Sequence, residues 1–229
     1  MSKLIGIIGA MDIEVEGLLV TVSEHTEKTI SGIVFHSGKI GQNRVVIAKC
    51  GIGKVFAAMC AQAMILEYSP DVIINTGVAG TLTAELGIMD VAIAKSVVQH
   101  DMDTSAIGDP VGLISGINKV YIDTDENVAI ALKTACNSLK CKNVLGTIAS
   151  GDKFITSSSD KERIKTTFGA IACEMEGASI GQVCYVNKVP FGILRAISDG
   201  EGAEMDYSTF APLAAGQSVE ITKKFIELY

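Results

Sequence analysis

The chain has 229 residues, 48% of them hydrophobic and 20% charged, with 26 acidic against 19 basic residues and a formal net charge of −7. The basic residues are scattered, with no run of the kind that a polyanion or an anionic bilayer demands, so nucleic-acid and membrane partners are disfavoured. Six cysteines without a CxxC pair, and three histidines far apart in sequence (His25, His36 and His100), argue against a disulfide framework, a metal site or a metal-dependent chemistry.

The length and apolar content suit one domain over residues 1–229. The first apolar run, "KLIGIIGA" (3–10), is too short for a membrane span and unlike the longer apolar region of a secretory signal, so a cytoplasmic protein is expected. Rich in Ile and bounded by glycine and acid, it reads as a buried strand, followed by a helical pattern over 13–22. Residues 30–48, "ISGIVFHSGKIGQNRVVIA", read as a β-hairpin. "CGIGKVFAA" then turns from a strand into a helix over 54–68, and "DVIINTG" (71–77) starts another strand whose continuation, "NTGVAG" (75–80), reads as a glycine-rich loop. "GIGK" lacks both the Walker spacing and the third glycine of a dinucleotide fingerprint, so no nucleotide cofactor is supported.

A strand over 91–98 leads into "HDMDTSAIGDPVGLISGINKVYIDTDEN" (100–127), a polar connection of a length usually kept for a site mouth or a subunit contact. Helical patterns over 127–139, 160–168, 177–187 and 210–228 enclose an apolar run ending in "AIACEM" and the strand "FGILRAIS" (191–198). Strand and helix therefore alternate, which predicts an α/β fold with a mostly parallel, mixed central sheet flanked by helices.

In such sheets ligands sit beyond the carboxyl ends of the strands. Glu14, the pair Glu174 and Glu176, and Asp199 all fall there. Each alone suits a helix-terminal acid or a cap. Three separate strand ends that present carboxylates point instead to chemistry, because converging acids repel one another. Without a metal, such a set suits glycosidic bond cleavage, which needs an acid for the leaving group, an activated water and a counter-charge for an oxocarbenium-like sugar.

The ordered motifs "IGIIGAMDIEV", "GIGKV", "DVIINTGVAG", "QHDMDTSA", "SGDKFI", "EMEGAS", "VPFGILRAISD" and "MDYSTF" together resemble the 5′-methylthioadenosine/S-adenosylhomocysteine nucleosidases of the nucleoside phosphorylase superfamily, along the whole chain. The resemblance implies a nucleoside phosphorylase-like fold, a homodimer, and hydrolysis of the adenine–ribose bond of methylthioadenosine, S-adenosylhomocysteine and 5′-deoxyadenosine without metal or cofactor. It implies that Glu14 activates the water, that Asp199 protonates adenine N7 with Ser198 holding its side chain, and that Glu176 binds the ribose hydroxyls. Met175 would pack on the sugar, Arg195 would orient the water and Glu174 would support them. Phe154 and Ile155 would belong to the segment that stacks on the purine and reads its edge through backbone groups. Met11, Ile52, Val78, Ala79, Gly80 and Tyr207 would line the pocket, and Thr104 with Ile107 would enter the partner's site. Val78 stands where many members have serine, Ile107 where an aromatic is common, and the segment 200–206, "GEGAEMD", is shorter than usual.

Three other functions compete. A futalosine-type nucleosidase shares the motifs. A nucleoside phosphorylase would need cations for phosphate, yet the only arginines are Arg44, Arg163 and Arg195, and Glu14 would repel the anion. A silent nucleoside binder has no use for an acid and a base.

Overall fold

In a computed structural model, which describes residues 3–199 and 207–229 without the side chains of Tyr207 and Ser208, the longest strand organises the molecule. This strand, β5 (Val72–Thr81), buries all ten of its residues. Along one edge it runs parallel to β10 (Phe191–Asp199) from Ile73 to Gly80. Its other edge is shared by two strands. β1 (Leu4–Gly9) pairs with Val72 to Asn75, and β9 (Ala170–Glu174) pairs with Gly80 and Thr81. Between those two pairings the edge is open to side chains, and the candidate site is built there.

Beyond β10 lie β6 (Val91–Gln99), antiparallel to it, and then β8 (Asn143–Ser150), which runs parallel to both β6 and β9. The strands β5, β10, β6, β8 and β9 therefore close a ring, with β7 (Tyr121–Asp123) added on β6. From β1 the sheet continues as an open wing through β4 (Asn43–Lys49), β3 (Ile33–Ile40) and β2 (Ser23–Ile30). The mixed α/β architecture expected from the alternation is present.

Helices cover both faces because strand residues alternate between them. Ile5 and Ile7 of β1 pack in a cluster with Val15 and Leu18 of α1 (Asp12–Leu19), Val128 and Leu132 of α3 (Glu126–Ser138), and Val219 and Phe225 of α6 (Tyr207–Leu228). On the other face Ile8 joins Phe35 of β3, Ala57 and Met64 of α2 (Lys54–Tyr68), and Ile180 and Cys184 of α5 (Gly177–Asn187). A third cluster holds α4 (Ser158–Phe168) through Ile164 and Phe168 against Leu82 and Ile155.

The structure departs from the sequence expectations in three places. "NTGVAG" is strand rather than loop, because β10 pairs along its full length. The polar segment 23–30 forms strand β2, whose residues are almost all exposed because it is an edge strand. The long connection after His100 contains a 3-10 turn at Ser105–Ile107, a bridge between Ile114 and Lys119, and β7. The segment 200–206, expected to differ over the purine, lies outside the described residues.

Candidate active site

Glu14 occupies the third position of α1, and its carboxylate folds back on the start of the helix. Oε2 accepts hydrogen bonds from the backbone N–H groups of Ala10 (2.7 Å) and Met11 (3.0 Å). These are donors that a helix N-terminus leaves free. The helix-capping role and the chemical one therefore belong to the same group. Oε1 faces the open edge of β5, where it accepts from Val78 N–H at 3.1 Å. Glu14 is 1% exposed. Gly77 makes the approach possible, because a Cβ there would overlap both Glu14 Oε1 and Arg195 Nη1.

Arg195, from the middle of β10, crosses the same gap. Nη1 donates to the carbonyl of Val78 (3.3 Å), and Nη2 donates to Asn75 Oδ1 (2.6 Å), to Glu174 and to Glu176 Oε2 (3.3 Å). Burial opposes the guanidinium charge, but Glu174, then Glu176 and Glu14, more than offset it, and the pKa is raised. Glu174 ends β9 as an anchor. It accepts from the backbone of Glu176 (2.9 Å) and Gly177 (2.8 Å) and from the Ser150 hydroxyl, which itself accepts from Ala178 N–H. The α5 N-terminus is thus capped by Glu174 and Ser150.

Glu176 is thereby released from capping. Its carboxylate turns away from α5 to accept from Gly53 N–H at the start of α2 (2.9 Å). Burial pushes its pKa from 4.5 to about 7; Arg195 pulls it down, while Glu174 pushes it further up. Burial outweighs the cation here, so this carboxyl group can exchange a proton near neutrality.

Asp199 closes β10 against Gly80, where an added Cβ would lie 2.8 Å from Oδ2. Its Oδ1 accepts from the Ser198 hydroxyl (3.3 Å), and Oδ2 pairs with Lys161 Nζ at 3.1 Å. Lys161 did not stand out in the sequence. It lies on the otherwise polar α4, but three residues before Ile164 and seven before Phe168, so it shares their inward face and is buried. That spacing was the available signal.

These groups surround a cavity of about 380 Å³, within the range usual for small-molecule sites. Met11, Glu14, Ile52, Val78, Ala79, Gly80, Phe154, Glu174, Met175, Glu176, Arg195, Ser198 and Asp199 line it, together with Ala10 and Cys173, which the sequence had not singled out. Burial pushes the Cys173 thiol up to about 12, so it meets the cavity as an apolar group. The Ile155 side chain turns into the core beside Leu82 and Phe168. Thr104 and Ile107 do not line the cavity. Thr104 bonds Asp109, and Ile107 is 83% exposed. Tyr207 begins α6, and its side chain lies outside the described residues.

The arrangement offers three carboxylates in different settings around one apolar-walled space. Glu14 is held by N–H donors on one side, Asp199 lies at the end of β10 beside a lysine, and the near-neutral Glu176 lies on the guanidinium.

A sequence model described as the phosphorylase superfamily matches residues 4–227. The 5′-methylthioadenosine/S-adenosylhomocysteine nucleosidase of Staphylococcus carnosus is 41% identical over 228 residues, covering 98% of this chain and 99% of that protein. The aminodeoxyfutalosine nucleosidase of Campylobacter jejuni is 38% identical over 225 residues, covering 97% and 98%. Among solved structures, the 5′-methylthioadenosine/S-adenosylhomocysteine nucleosidase of Neisseria meningitidis, in complex with methylthio-immucillin-A, superposes with a TM-score of 0.94. That protein is 32% identical, with 98% of this chain and 99% of that chain covered. With the fold, the cavity and matches of this extent in agreement, the chain belongs to the phosphorylase superfamily and, within it, to the 5′-methylthioadenosine/S-adenosylhomocysteine nucleosidase family.

Proposed function

We propose that the protein hydrolyses the N-glycosidic bond of 5′-methylthioadenosine and S-adenosylhomocysteine, and of 5′-deoxyadenosine, releasing adenine and the 5-substituted ribose. The observation that carries the reading is the convergence of Glu14, Glu176 and Asp199 on one cavity from three different strand ends. Glu14, fixed by three N–H donors, takes a proton from water. Asp199 delivers a proton to adenine N7 so that the base leaves neutral, with Ser198 orienting its carboxyl. Glu176 binds the ribose hydroxyls and opposes the charge that develops on the sugar. Arg195, held by Glu174, maintains the spacing of Glu14 and Glu176 and orients the water. Met175 packs on the ribose. Phe154, 51% exposed at the cavity wall, covers the purine, and the Ile155 backbone reads its edge.

Water rather than phosphate is the nucleophile in this reading, because Arg195, which lines the cavity, and Lys161, which pairs with Asp199, are both engaged by carboxylates. A dianion would also meet Glu14. The Campylobacter relative favours a second substrate class, aminodeoxyfutalosine, cleaved by the same chemistry.

One domain carries the activity, in a cytoplasmic homodimer that needs neither nucleic acid nor a membrane. Among the described residues no helix is long and apolar enough to cross a membrane. Exposed Val55, Phe56, Met59 and Leu66 on α2, with Tyr185 and Val186 on α5, support the pairing of two copies through this face. Thr104 and Ile107 would then reach the partner's cavity, and mass in solution checks the dimer.

The activity test is adenine release from methylthioadenosine, S-adenosylhomocysteine, 5′-deoxyadenosine and aminodeoxyfutalosine, with and without phosphate. Free adenine and a free sugar in both conditions are expected. A phosphate requirement or a sugar-phosphate product would overturn the hydrolytic reading.

A further inference from the structure

Two of the three histidines, His25 and His36, meet on the edge wing of the sheet. In the β2–β3 pairing Glu27 stands directly opposite His36, and His25 precedes Glu27 by two residues, so strand alternation places all three on one face. A β-bulge lies beside His25. Ser23 pairs with Lys39 and Thr26 with Ser37, so that Glu24 and His25 together oppose the single residue Gly38. Glu24 adopts the left-handed conformation the bulge needs, with φ 53°. A side chain at position 38 would overlap the carbonyl of Ser23 and the side chain of Val22, which leaves glycine as the residue the bulge can sit on.

The donor atoms that result are His25 Nε2, His36 Nδ1 and Glu27 Oε1. The two imidazole nitrogens are 3.0 Å apart, His36 Nδ1 is 3.2 Å from the carboxylate oxygen, and His25 Nε2 is 3.7 Å from it. Donors bonded to one ion at about 2.0–2.2 Å in tetrahedral geometry stand roughly 3.3–3.6 Å from each other. The three observed separations bracket that edge length. Two imidazoles and one carboxylate form the donor set of borderline divalent ions such as Zn²⁺, Co²⁺ and Ni²⁺, whereas Mg²⁺ and Ca²⁺ require oxygen ligands. The rings are tilted by 37°, with centroids 5.2 Å apart.

We propose that His25, Glu27 and His36 form a surface site for a divalent ion of the zinc class, with water completing the coordination. The bound ion clips β2 to β3 across the bulge. None of the three residues lines the catalytic cavity, so the site is independent of the hydrolytic chemistry and its test does not rest on that reading.

Zinc chloride is titrated into tag-free full-length protein by calorimetry, beside His25→Gln and His36→Gln. Both positions are at least partly exposed on an edge hairpin, and circular dichroism verifies that each variant is folded. One equivalent per chain is expected, weakened in each variant by at least about 10-fold, the lower end of the loss seen when even an outer-shell partner of a metal ligand is removed. Cobalt(II) is expected to take the same site without thiolate-to-metal charge-transfer absorption, and excess magnesium to leave zinc binding unchanged. Absence of saturable zinc binding would overturn the proposal, as would binding that both variants retain or a charge-transfer band that moves the ion to the cysteines.

Discussion

Glu176 gives the sharpest test of how burial and charge are balanced in the cavity. Its carboxyl has a folded pKa of about 7 against an ordinary 4.5. Between those values the folded protein holds a proton that the unfolded chain has released. Stability from this group is therefore complete below about pH 4.5 and is lost as pH rises through about 7. Glutamine mimics the protonated acid and does not titrate. At pH 5 Glu176→Gln and the parent should differ little more than the amide's altered contacts with Gly53 and Arg195 dictate. At pH 8 the parent alone bears the cost of a buried charge, which is on the order of 3 kcal/mol for a displacement of this size. For a chain of this length, each kcal/mol moves the melting temperature by about 2–4 °C, so the variant's relative gain between the two pH values should be roughly 5–10 °C. The assay is thermal and urea denaturation of both proteins, without ligand, at one protein concentration and at pH 5 and pH 8. Comparing the two differences cancels every other titrating group and the pH-independent cost of the amide. If the variant's advantage does not grow with pH, or if it falls, the Arg195–Glu176 pair outweighs burial and the reasoning fails. The same substitution should nearly abolish hydrolysis, so that stability and activity move in opposite directions.

Asp199→Asn removes the proposed proton donor and should lower kcat by about 10²–10⁴-fold while KM changes little, as steady-state kinetics with methylthioadenosine would show; unchanged kcat would remove Asp199 from that role. Lys161→Met keeps the length of the buried side chain but deletes the cation 3.1 Å from Asp199. It should reduce kcat by roughly 10-fold or more and lower the stability measured in urea by up to about 3–5 kcal/mol, because deleting one partner of a buried pair leaves Asp199 without its cation. A large loss of stability with normal turnover would make Lys161 a purely structural residue. Gly77→Ala forces a methyl group into the space shared by Glu14 Oε1 and Arg195 Nη1. Turnover should fall by at least about 100-fold, in line with the cost of misplacing catalytic groups by about 1 Å, and full activity would show that the gap in β5 is wider than it looks.

Much of this was legible from residue order alone. The alternation of apolar runs with helical patterns implied a mixed sheet between helices, and the acids that mattered were visible because they end or follow strands: Glu14 after β1, Glu174 at the end of β9 with Glu176 just beyond it, Asp199 at the end of β10. These are local properties, set by side-chain periodicity and by where an apolar run stops. The division of labour within "EMEG" came from the family resemblance alone, because the residues themselves carry no physical sign of it. Glu174 and Glu176 are equally acidic and two residues apart. Only the positions of Ser150, Arg195 and Gly53, contributed by three other elements, make one a helix cap and anchor and the other a carboxyl raised to near neutrality. The open edge of β5 was equally hidden, because it arises where β1 leaves and β9 arrives, and "NTGVAG" carries no local sign of it. Lys161 depends on which distant segments pack together, and the His25–Glu27–His36 cluster on the register of a β2–β3 hairpin that the sequence did not announce. Composition and periodicity determined the fold class and the supply of catalytic groups; long-range pairing, which brings together residues more than a hundred positions apart, decided which of them share a site.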